Sequence, residues 1–131
     1  MMISEFVIDT NAYSDWQRIG KWDWHFEMAN QIWIPFVVDG ELRYGFEAGS
    51  RASINLSLLD NFLSSDATKM IFADADTSRY YAQISVSLRR VGTRIPTNDV
   101  WIAALCLQKN LPLATSDSHF DHIPMLRRLE P

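Results

Sequence analysis

Cysteine is nearly absent from this chain: Cys106 is the single one, so no internal disulfide can form. Five glycines and five prolines among 131 residues leave no collagen-like repeat and no flexible linker. Long apolar runs are missing too. The longest, Val100 to Leu107, is far too short to cross a membrane. The opening Met1-Met2-Ile3-Ser4-Glu5 lacks a basic region followed by an apolar one, so no secretory leader is expected. A reduced core thiol, no leader and no span favour the cytoplasm, with no membrane partner. Positive charge is scarce, with 12 Lys and Arg against 16 Asp and Glu and a net charge of −4. The deficit sits in residues 1–68, where four basic residues face ten acids; residues 69–131 carry eight against six. This balance alone neither points to nucleic acid nor excludes it.

What the chain does have is a globular composition, 47% hydrophobic with 12% aromatic. No repeat or low-complexity tract interrupts it, so one domain spanning residues 1–131 is expected. Short apolar runs at Glu5 to Ile8, Ile32 to Ile34, Lys69 to Ala73 and Leu113 to Thr115 read as buried strands. Met125 to Leu129 reads as a short fifth. Between them lie helical stretches: Ala12 to Asn30, broken near Gly20; Val37 to Gly49, weakened by Gly40 and Gly45; and Ser53 to Leu63. A helix to Arg90 is capped by Asp76 or Thr77, and another to Lys109 by Asn98 or Asp99, with Asn110 closing the latter. Strands alternating with helices predict an α/β fold, a three-layer sandwich whose short parallel sheet of four to five strands is flanked by helices.

Four acids occupy informative places. Asp9 ends the first strand, Glu41 lies in the Val37 to Gly49 stretch, Asp99 opens an apolar helix, and Asp117 follows the fourth strand. Residues just past the carboxyl ends of parallel strands converge on one crevice. Two carboxylates about 4 Å apart repel by about 4 kcal/mol at an effective dielectric of ~20, so such a cluster calls for a cation. Oxygen ligands without cysteine suit Mg²⁺, or Mn²⁺, rather than zinc. Such ions acidify and orient a water and neutralise charge on a phosphoryl oxygen. Each acid alone has a plainer role: Asp99 as a helix cap is worth about 1 kcal/mol. Their joint pattern carries the metal reading.

VIDTNAYSD, GELRYG at residues 40–45, NDVWIAALCLQKNLPLATSD at residues 98–117 and the closing HFDHIPML resemble, in order, the segments of PIN-domain nucleases. Within that family the likeness is to VapC-type toxins of bacterial toxin–antitoxin pairs. It implies a PIN-like fold and a metal-dependent endoribonuclease in which Asp9, Glu41, Asp99 and Asp117 form the catalytic metal site. Asn11, Thr115 and Ser116 match supporting polar positions. It further implies an RNA substrate, cleavage leaving a 5′-phosphate and a 3′-hydroxyl, a homodimer, and a cognate antitoxin protein. Gly40 departs from the more frequent Ala, and Asn98 from an apolar residue.

Two other functions compete. A phosphotransfer receiver domain wants paired acids after its first strand and a lysine after a late one, and this chain has neither. A PIN-like scaffold that binds RNA or protein without cutting remains the alternative, opposed by the four retained carboxylates. The pair His119 and His122 makes a poor zinc site and reads as exposed loop. Arg43 reads as a phosphate contact or a structural ion pair, and Asp121 as a supporting group for the site at most. Trp16, Trp22, Trp24, Tyr44 and Phe46 read as an exposed aromatic surface suited to a dimer interface.

Overall fold

The computed structural model describes residues 4–131, so residues 1–3, read above for a leader, lie outside the described residues. A five-stranded parallel sheet, flanked by helices, has the order β3-β2-β1-β4-β5. Its strands are β1 (Glu5–Ile8), β2 (Gln31–Pro35), β3 (Thr68–Ile71), β4 (Leu113–Ala114) and β5 (Arg128–Leu129). Phe6, Val7 and Ile8 are wholly buried, as a central parallel strand covered on both faces requires. From β1 the chain builds outward through β2 to β3, then crosses back to β4 on the other side of β1. That reversal puts a crevice at the carboxyl ends of β1 and β4, where open α/β sheets bind ligands. Among the described residues no helix is long and apolar enough to cross a membrane.

Among the described residues six α-helices connect the strands: α1 (Thr10–Ile19), α2 (Asp23–Met28), α3 (Phe36–Glu47), α4 (Ala52–Leu63), α5 (Ala75–Arg90) and α6 (Thr97–Lys109). Gly20 ends α1 at φ 70°, a left-handed geometry, and a Cβ there would meet Asp23 Oδ2 at 2.7 Å. Asn110 closes α6 in the same left-handed region, as the sequence suggests. The α3 helix is regular despite its two glycines. Gly40 and Gly45 face open space, while Val38 and Leu42 anchor the inner face.

Three expectations are corrected. The cap of α5 is Asp74, whose Oδ1 accepts the N–H groups of Asp76 and Thr77, while Thr77 accepts the Asp74 N–H in return. Gln108 of α6 also bonds both Asp74 and Thr77, tying the two helices together. The α6 helix starts right after Pro96, so neither Asn98 nor Asp99 caps it, and the Asp99 carboxylate is left for other partners. The aromatic surface is smaller than expected. Trp22 is buried, and Trp16 stacks on Phe26 at a 4.2 Å centroid distance within a cluster that includes Tyr13, Phe46 and Phe62. Trp24 and Tyr44 are the members that remain exposed, at 55% and 78%.

Candidate metal centre

Parallel pairing of β1 with β4 brings distant residues together. Ile8 is level with Ala114, so the next residues, Asp9 and Thr115, leave the sheet side by side. The Thr115 hydroxyl donates to Asp9 Oδ2 at 2.5 Å, and the Ala12 N–H donates to Asp9 Oδ1 at 2.7 Å. Asp9 thus caps α1 while sitting 97% buried, with 3% of its surface exposed. The Asp117 N–H donates to Thr115 Oγ1 at 3.0 Å. Asp117 then caps a 3-10 turn, Ser118–His122, by accepting the His119 N–H at 2.9 Å.

That tight turn folds the His119 ring back over the acids. Its Nδ1 lies 3.0 Å from Asp99 Oδ2 and 3.2 Å from Asp117 Oδ1. Asp99 reaches this point from the first turn of α6. Glu41 stands further out on α3, where Oε1 accepts the Thr10 hydroxyl at 2.9 Å. Thr10 follows Asp9 directly, so one dipeptide contacts both ends of the acidic group.

The electrostatics follow from this crowding. Burial pushes the Asp9 carboxyl up to about 6, against the bonds from Thr115 and Ala12, and the charges of Asp117 and Asp99 push it further the same way. Burial also raises Asp99; the His119 hydrogen bond opposes this, and the charges of Asp117 and Glu41 add to it. Asp9 therefore feels the charges of Asp99 and Asp117, and Asp99 those of Asp117 and Glu41. Beneath them Cys106 is wholly buried, and desolvation with the nearby Asp9 charge holds it as an unreactive thiol.

Asp99, Asp117 and His119 each offer a ligand atom, and these atoms lie within 4.8 Å of one another. The donor set fits a hard divalent cation. Asp9 and Asp99, whose carboxyls are raised chiefly by burial, would be held ionised by such an ion, and oxygen donors dominate.

His119, expected in an exposed loop, instead reaches two of the acids. Its one available signal was a position two residues past Asp117. Asn11 and Ser116 are exposed, and among the described residues neither bonds an acid of the group. Arg43 is spent elsewhere, paired with Asp39 at 3.1 Å and Asp60 at 2.8 Å. Asp121 pairs with Arg128 rather than turning to the crevice.

A PIN-domain family model matches residues 6–126. The chain belongs to the PIN-domain family. Among curated relatives, ribonuclease VapC5 of Mycobacterium tuberculosis is 32% identical over 93 residues, 71% of this chain and 69% of the relative. The plasmid stability protein StbB of Pseudomonas syringae pv. tomato is 27% identical over 121 residues, 86% of this chain and 87% of the relative. A solved structure of VapBC2 from Rickettsia felis, bound to a promoter DNA fragment, superposes with a TM-score of 0.84. It is 28% identical, covering 95% of this chain and 97% of that one. The sheet order and crevice described above are thus those of a PIN fold of the VapC type, and Asp9, Glu41, Asp99 and Asp117 fall within the matched span.

Proposed function

We propose that the protein is a metal-dependent endoribonuclease of the PIN family, acting as the toxin of a toxin–antitoxin pair. The observation that carries this reading is the approach of Asp99, Asp117 and His119 within 4.8 Å of one another, with Asp9 and Glu41 near enough for their charges to bear on the group. The ribonuclease name of the VapC5 relative supports the activity. The toxin–antitoxin structures similar in fold support a cognate antitoxin as partner. RNA as substrate and a homodimer belong to the same proposal.

In this reading Asp9, Asp99 and Asp117 hold Mg²⁺ or Mn²⁺, with Glu41 at the rim. The bound ion supplies Lewis-acid neutralisation of the phosphodiester and a more acidic attacking water. The protein's own residues prepare that chemistry. Thr115 and the α1 amide fix Asp9 in one rotamer, so no reorganisation is needed when substrate arrives. Thr115 also fixes the Asp117 backbone, locking two acids to one hydroxyl. His119 holds Asp99 and Asp117 in one orientation. Thr10 keeps Glu41 turned to the same side. Asp9→Asn and Asp99→Asn should each abolish RNA cleavage in Mg²⁺ and relieve growth arrest, with circular dichroism unchanged. Full cleavage by a folded Asp9→Asn protein would sink the assignment.

A further inference from the structure

Beside the acids lies a hollow of about 680 Å³ whose wall includes Thr10, Phe36, Gly40, Glu41, Tyr44 and Asn98. Phe36, Gly40 and Tyr44 are spaced four apart on α3, so they form one stripe, each step about 6 Å along the axis. Tyr44 is 78% exposed and Phe36 41%, and among the described residues neither ring stacks on another aromatic. Gly40 between them leaves a gap, and a Cβ added there would meet nothing within 4 Å. Asn98 brings an amide that can both donate and accept.

We infer that this hollow is a nucleobase slot that seats an unstacked base of single-stranded RNA beside the bond being cut. The inference rests on the endoribonuclease reading above. Its occupant follows from continuity: Glu41 and Thr10 belong both to the hollow and to the acidic group, so a strand whose phosphate meets the acids carries its neighbouring base past Tyr44. Every base has a π-face, and a free aromatic ring offers it a stacking platform. The glycine admits a planar ring close to the helix backbone, and the Asn98 amide can bond the base edge. Gly40 thereby becomes a specificity-determining position, because a side chain there would narrow the slot without disturbing the core.

The test is cleavage kinetics on a single-stranded RNA in Mg²⁺, with wild type, Tyr44→Ala, Tyr44→Phe and Gly40→Val assayed in parallel. Tyr44→Ala and Gly40→Val should raise KM by roughly tenfold, the scale of a lost base stack, and Tyr44→Phe should stay near wild type. An abasic nucleotide beside the cut should raise the wild-type KM by a similar factor and leave Tyr44→Ala no worse than before. Active wild type with an unchanged KM in both Tyr44→Ala and Gly40→Val would overturn the slot alone. So would losses from Tyr44→Ala and base removal that simply multiply. Unchanged cleavage with escape from antitoxin inhibition would assign the hollow to the protein partner and equally overturn it. An inactive wild type would overturn the endoribonuclease reading, and the slot with it.

Discussion

Asp9 is a group that the fold stabilises poorly unless a cation is present, and its replacement makes that measurable. Its carboxyl rises from 3.8 to about 6 on folding, with burial as the main cause. Because the folded-state value is the higher one, the native state holds the proton more tightly. The associated stability is complete below pH 3.8 and drains away as pH rises to about 6. A shift of this size corresponds to about 3 kcal/mol lost in the metal-free protein at neutral pH. Asp9→Asn removes the ionisation but weakens the bond with Thr115, a loss of about 1 kcal/mol. In EDTA at pH 7 the variant should therefore be more stable than wild type by about 2 kcal/mol, and the order should invert below about pH 4.5, where only the weakened bond remains. Urea melts of both proteins across that range measure the difference, which cancels every other titrating group. Saturating Mg²⁺ should reverse the order, since wild type gains about 2.7 kcal/mol at a hundredfold excess over Kd and the variant gains little. Identical pH profiles for the two proteins in EDTA would refute the reasoning.

Other outcomes follow from the same geometry. Thr115→Val removes the hydroxyl shared by Asp9 and the Asp117 backbone, so it should cost about 1–3 kcal/mol in thermal or urea melts and reduce cleavage; Thr115→Ser should restore both. His119→Ala frees Asp99 and Asp117 from their shared partner, so it should weaken Mg²⁺ and Mn²⁺ binding alike in calorimetric titrations; a loss confined to Mn²⁺ would make His119 a ligand instead. Light scattering at micromolar concentration should report a homodimer, with Trp24→Ala weakening it; a strict monomer unaffected by that change would refute the dimer.

The sequence displayed the sheet well because β1, β2 and β4 are short apolar runs with no competing period. Strand ends and a helix start mark Asp9, Asp99 and Asp117 in the sequence, and of these the structure brings Asp99 and Asp117 to one point. Its failures lie where a side chain finds a partner that periodicity does not mark. The His119 ring meets Asp99 across 20 residues, and only the 3-10 turn after Asp117 turns it inward. Trp16 and Trp22 resembled an exposed surface until packing against Phe26, Phe62 and His25 buried or half-buried them. In α5 the cap moved back to Asp74 because its side chain satisfies two orphan amides at once, which Asp76 or Thr77 would not. Asn11 and Ser116 are exposed, so a supporting role for either belongs to the proposal.

The most direct test of the proposed metal-dependent ribonuclease activity is the chemistry of the cut ends. Purified protein should cleave RNA in Mg²⁺ to fragments with a 5′-phosphate and a 3′-hydroxyl, and should stop in EDTA. Cleavage that persists in EDTA and leaves 2′,3′-cyclic phosphates would contradict the account, because the acids around Asp9 would then have no cation to hold.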